Sequence, residues 1–122
     1  MCQIPIPDTP IRTRIGWKVL ERKGRHGRLY TPYWGKLINS NIIEQKHPIH
    51  PVSAFRNKNG AEELKKWGEM NWWYNNGCVI AKVRMYNSQL SRWDAGRILS
   101  KDQANQCLSA DLCEILEIIE ER

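Results

Sequence analysis

The chain has 122 residues, 41% of them hydrophobic and 26% charged, with a formal net charge of +6. That length fits one domain with a core of its own, and the composition excludes a disordered chain. No run approaches the ~18 consecutive apolar residues of a membrane span, and the opening residues lack the apolar segment of a secretory leader, so the expected location is cytoplasmic.

Residues 1–14 contain Pro5, Pro7 and Pro10. Proline fixes φ and removes a donor, which predicts an extended N-terminal segment ahead of a single α+β domain over 15–122. Ile15, Trp17 and Val19 alternate with their neighbours and predict a first strand up to Glu21. Lys23-Gly24-Arg25-His26-Gly27 reads as a turn, and Arg28 to Tyr33 as a short return strand. The result is a β-hairpin with a basic tip.

Asn39-Ser40-Asn41 is a turn signal between Leu37-Ile38 and Ile42-Ile43. His47-Pro48-Ile49-His50-Pro51 is kept extended by its prolines. Val52 to Phe55 is a strand candidate. Asn59 reads as a helix cap, with Glu62 and Glu63 in the first turn. Ala61, Leu64 and Trp67 then share a helical face, and Asn75-Asn76-Gly77 closes a helix that ends near Tyr74. Cys78 to Tyr86 alternates cleanly, with Val79, Ala81, Val83 and Met85 opposite Lys82 and Arg84. Ser88 to Gln106 reads as irregular. In Ser109 to Glu121, Leu112, Ile115, Leu116 and Ile119 recur at helical spacing, whereas the β-branched run fits a strand; the spacing favours helix. The expected fold class is α+β, with an antiparallel sheet of four to five strands packed on one main helix and a C-terminal helix or strand.

Charge is unevenly placed. Residues 1–36 hold eight Lys/Arg against Asp8 and Glu21, while 107–122 hold five acidic groups against Arg122. Basic groups on a glycine-containing loop suit phosphates. Six tryptophans are many for this length, and aromatic faces stack on nucleobases. Trp72-Trp73-Tyr74 cannot all point inward from one helix, since consecutive residues sit about 100° apart. Candidate ligand-binding residues are therefore Arg22, Arg25, Arg28, Tyr33, Trp34, Trp72, Trp73, Arg84 and Arg92. Trp17 and Trp67 read as core.

Chemistry beyond binding has little support. Cys2, Cys78, Cys107 and Cys113 form no C-x-x-C pair, and in a reducing compartment they read as free thiols. His47 and His50 lack further ligands at a metal-binding spacing. No nucleophile elbow, zinc-protease motif, P-loop or dinucleotide fingerprint is present. No catalytic residue, metal or cofactor is assigned.

Gly16-Trp17-Lys18-Val19-Leu20, then Pro51-Val52-Ser53-Ala54-Phe55 before a helix with Ala61, Glu62 and Trp67, then Val79-Ile80-Ala81-Lys82-Val83, then Ala110-Asp111-Leu112-Cys113-Glu114-Ile115-Leu116 form an ordered set. This set resembles small phage and prophage accessory proteins of unknown function over residues 15–119. Those proteins carry a histidine just before the Ala-Phe pair, where this chain has Ser53. The resemblance implies a strand for the last segment and a phage setting, hence the cytoplasm of a host cell, in which small basic proteins counter host defence.

The function expected is non-enzymatic binding of an anionic nucleotide or nucleic acid. The rivals are a protein–protein inhibitor of a host defence protein, or a homodimer, acting through exposed tryptophans, and a small nucleotide-processing enzyme.

Overall fold

Alternation in the central strand outlasts Tyr86. In the computed structural model, which describes residues 3–6, 9–23, 28–31, 38, 40–44, 52–70, 77–93 and 106–119, this strand runs from Cys78 to Trp93. Asn87 takes a φ of 53°, a left-handed conformation that asparagine tolerates better than most residues. There the register slips between Arg14↔Met85 and Arg12↔Ser88, a bulge that bends the strand and lets pairing resume.

The described residues form eight strands and one helix: β1 (Gln3–Pro5), β2 (Arg12–Lys23), β3 (Arg28–Tyr30), β4 (Ile42–Glu44), β5 (Val52–Phe55), α1 (Lys58–Met70), β6 (Cys78–Trp93), β7 (Cys107–Ala110) and β8 (Leu112–Ile119). Every pairing is antiparallel. The path runs β3-β2-β5-β7-β6-β8-β4, with β1 joined to β6. One further pairing changes the architecture: β2 also bonds β6 along the other edge, from Arg12↔Ser88 to Glu21↔Cys78. Strands β2, β5, β7 and β6 therefore close on themselves.

Two apolar clusters follow from period-two alternation. Inside the closure lie Leu20, Val52, Ala54, Val79, Ala81, Val83, Met85, Leu108, Ala110, Cys113 and Ile115, with Ile43 from β4. Outside it, Val19, Phe55, Ala61, Cys78, Ile80 and Cys107 pack together, with Trp17, Leu64 and Ile119 against them. Full burial of a side chain such as Leu20 is worth about 1.5–3 kcal/mol. Helix α1 covers only this second, outer cluster. Its cap is Asn57, whose Oδ1 accepts the Gly60 N–H at 3.1 Å, so the helix starts ahead of the expected cap at Asn59.

The expected α+β arrangement, a small sheet on one main helix, is thus incorrect. The chain is mainly an antiparallel β structure whose inner core is enclosed by strands. The helix expected at the C-terminus is also incorrect, since Leu112–Ile119 is strand β8. Its pairing with β6 shifts between Lys82↔Glu117 and Val83↔Ile115, leaving Leu116 as an extra residue. Cys113 and Ile115 face the inner core before the shift, and Ile118 packs against it afterwards. A bulge that moves the inward phase by one residue imitates the i, i+3 spacing of a helix. Beyond the expected bounds, Gln3–Pro5 forms a strand and β2 begins at Arg12.

Gly16 sits where β2 meets β5. A Cβ there would lie 2.9 Å from the Phe55 carbonyl oxygen, 3.1 Å from Leu108 Cδ1 and 3.3 Å from Ala54 Cβ. The nearest obstacle is backbone, which cannot rotate away. Gly16→Ala is expected to destabilise the fold by about 1–3 kcal/mol through overpacking. Urea unfolding checks this, and an unchanged midpoint would mean that the strands do not approach so closely.

Two residues further along the same inner face, Lys18 is buried. Its Nζ donates to the Ser53 carbonyl of β5 at 2.7 Å. Burial lowers its pKa below the ordinary value, and the facing Cys113 works the other way. Between the folded and unfolded pKa values the unfolded chain binds more protons, so this residue makes stability rise with pH up to about 10.4. Burial raises the thiols of Cys78, to about 12, and of Cys113; these oppose the trend above roughly pH 8.5. Lys18→Met retains both thiols. The stability of the native chain relative to Lys18→Met should therefore increase from pH 6 to pH 10 in urea titrations, and parallel curves would refute the assignment.

Candidate anion-binding site

On β2 the inner face reads Arg12, Arg14, Gly16, Lys18, Leu20 by alternation. The last three are buried. Towards the start of the strand this face leaves the core and becomes cationic. Arg14 is half-buried and its guanidinium is fixed: Nη1 donates to the carbonyl and to the hydroxyl of Ser88, the latter at 3.2 Å, and Nη2 donates to the Pro10 carbonyl at 2.8 Å. Ser88 Oγ in turn donates to the Arg12 carbonyl at 2.6 Å. The β6 bulge is what turns Ser88 towards β2, so the longest strand of the sheet holds Arg14 in place.

Arg56 joins from the other side of the closure. It follows β5 directly, and its N–H donates to the Gln106 carbonyl at 2.6 Å, extending the β5–β7 ladder by one step. Burial, and then the positive charges of Arg12 and Arg56, hold the Arg14 pKa below its ordinary value. The register agrees: Trp17↔Phe55 sets Arg56 beside Gly16, the inner-face residue next to Arg14, so Arg12, Arg14 and Arg56 lie at one end of the closure. Arg12 and Arg56 are exposed. Among the described residues, no carboxylate pairs with any of the three, and the side chains of Arg12 and Arg56 make no hydrogen bond.

Two features extend this basic end. Helix α1 begins two residues after Arg56 with no acidic residue in its first turn, so its partial positive charge is not offset there. Arg92, exposed on β6, falls in the same cross-strand row, because Phe55↔Cys107 and Ser91↔Cys107 place Arg56, Gln106 and Arg92 one step further on.

Of the residues expected from sequence, the four that the structure describes are Arg22, Arg28, Arg84 and Arg92, and these do not converge on one place. Arg22 and Arg28 lie on the β2–β3 pair, where Arg22↔Leu29 and Lys23↔Arg28 are in register. Arg22 is roughly 26 Å along the strand from Arg14 at about 3.3 Å per residue. Arg84 sits mid-sheet on the outer face. It donates to Glu114 Oε1 at 2.9 Å, and the Tyr86 hydroxyl donates to the same oxygen at 3.1 Å. Tyr86, through its hydrogen bond and then its electrostatic interaction, holds Arg84 above its ordinary pKa, with a smaller contribution from Glu114. That guanidinium is committed to its own sheet. Arg25, Tyr33, Trp34, Trp72 and Trp73 lie outside the described residues, as does the His47–Pro51 segment. Among the described members of the expected set, Arg92 alone lies at the basic end, and the sequence reading did not single out Arg12, Arg14 or Arg56. Arg12 and Arg14 are spaced for one face of a strand, a signal hidden by reading residues 1–14 as a leading segment. Arg56 is far away in sequence and is brought in only by strand closure.

Among the described residues, no group of three His, Cys, Asp or Glu side chains could hold a metal ion, and no helix is long and apolar enough to cross a membrane. Cys78, Cys107 and Cys113 are buried thiols that form no disulfide. Comparisons with protein-family models, curated proteins and solved structures find no match to this chain.

Proposed function

We propose that this chain is a binding protein for a phosphate-bearing ligand, a nucleotide or a nucleic acid, engaged at the basic end of the strand closure. The observation that carries this reading is the placing of Arg12, Arg14 and Arg56 at one end of the strand closure, with no carboxylate partner among the described residues. Like charges held together repel, and the fold tolerates the arrangement because Arg14 is tied to neutral carbonyls. An anion arriving between them relieves that repulsion. Arginine is suited to the task because its planar fork meets phosphate oxygens in pairs. In the phage setting implied by the resemblance, such a protein would act by withholding a nucleotide or covering a nucleic acid.

Fluorescence anisotropy with labelled single- and double-stranded oligonucleotides, and competition by unlabelled nucleotides, tests this reading. Binding should weaken with salt in proportion to the phosphates neutralised. The double variant Arg12→Gln/Arg56→Gln should lower the slope of log K against log salt by about 1.4–1.8, as expected for two lost phosphate contacts. Arg84→Gln should stay within about twofold of the native chain, because Arg84 already serves Glu114. Absence of binding at low salt by every oligonucleotide and nucleotide would overturn the proposal. An unaltered slope in the double variant would move the site elsewhere.

A further inference from the structure

Helix α1 seals the outer face of the sheet only around Val19, Ile80 and Trp17. Further along the strands the outer side chains are exposed or half-buried, and Ile15, Ile42 and Leu116 are each 39% exposed. The strand order there is β2-β6-β8-β4. Ile15↔Arg84, Arg84↔Glu114 and Ile42↔Glu114 are register partners, so one cross-strand row reads apolar, cationic, anionic, apolar. The neighbouring row repeats the order of charge, with Lys82 on β6 opposite Glu117 on β8.

This pattern is its own complement. A half-turn about an axis parallel to the strands, midway between β6 and β8, lays β6 over β8 and β2 over β4. Ile15 then meets Ile42, Arg84 meets Glu114 and Lys82 meets Glu117, each from the other copy. We infer that the chain forms a two-fold homodimer through the outer face of β2, β6, β8 and β4, with the cations of β6 stacked on the anions of β8 in the second copy; this stands apart from the anion-binding reading. A two-fold interface requires one self-complementary patch, and a second copy supplies the matching charges by symmetry. Lys82 and Glu117 make no ion pair among the described residues, although they face each other in register. Both charges are therefore available to a partner. Arg84 and Glu114 already pair at 2.9 Å, and two such pairs stacked in opposite order close a ring of four alternating charges with neither bond broken. Sheets packed face to face lie about 10 Å apart with strands within about 30° of each other, which keeps the rows nearest the axis together. Four strands span roughly 15 Å, so the interface belongs to the smaller class, below about 1,200 Å2 in total.

Sedimentation velocity over a wide range of chain concentration tests this. A monomer–dimer equilibrium is expected in the micromolar range. Lys82→Glu and Glu117→Lys each set like charges against each other across the interface, and each alone should weaken dimerisation by about tenfold or more. An equimolar mixture of the two variants should restore a dimer of one chain of each, because every cross-interface pair is then opposite in sign. The double variant Lys82→Glu/Glu117→Lys should dimerise by itself for the same reason. Ile42→Ser, at an exposed position, should weaken the dimer without any change of charge. A monomer at every concentration up to about 1 mM overturns the inference and leaves the face to a different partner. A dimer that none of the single substitutions weakens, or that neither the mixture nor the double variant restores, overturns it as well.

Discussion

The contact between β2 and β5 governs the rest of this structure. Only Trp17 and Phe55 pair there as strand partners, and the space above Gly16 is filled by the Phe55 carbonyl, Leu108 and Ala54. Without it, β2 and β5 would be neighbours of β6 and β7 on an open, twisted sheet, and one face of that sheet would need another layer to cover it. With it, the four strands enclose their own core. The helix is then left with a lesser task, sealing the outer cluster around Val19, Phe55 and Ile80. A second link at the same crossing is the Lys18–Ser53 bond. A buried ammonium is costly unless it is well hydrogen-bonded, so Lys18 is a poor source of stability. It does mark one register: a slip of β2 by one residue would turn Lys18 outward and Trp17 inward.

The same closure makes the arginine cluster. Arg14 and Arg12 continue the inner face of β2 past the point where the core ends, and β5 delivers Arg56 to the same end as it enters the helix. Neither strand has a site by itself. The bulge at Asn87 completes the arrangement by turning Ser88 towards Arg14. For the anion binding proposed above, rigidity at Arg14 would be an advantage, since a pre-ordered charge adds no ordering cost when a ligand arrives.

Legibility in the sequence tracked locality. Val52–Phe55 and the alternating run from Cys78 could be read because their pattern is complete within a few residues. The helix was legible in kind but not in its cap, because Asn57 and Asn59 are both plausible by composition and only the Gly60 N–H distinguishes them. Two bulges defeated the rest. Asn87 broke the alternation and made Ser88–Trp93 look irregular, and Leu116 moved the phase of β8 so that a strand carried helical spacing. The fold class failed for a related reason. A chain that closes a sheet on itself needs no abundance of helix, and nothing local to β2 announces that both of its edges are used.

Net charge proved a weak guide to the site, and the contrast between Arg84 and Arg56 shows why. Each is an arginine and raises the formal charge equally, Arg84 from the middle of β6 and Arg56 from just past the end of β5. Arg84 stands directly across from Glu114 in the β6–β8 register, so its field is cancelled within the sheet and its donors are occupied. Arg56 has guanidinium neighbours of its own sign and no carboxylate partner among the described residues. The quantity that identifies an anion site is therefore uncompensated charge held in a fixed place, which depends on strand register. Register depends in turn on the bulges and on the Gly16 crossing. A glycine with no room for a side chain thereby decides where this chain gathers its uncompensated positive charge.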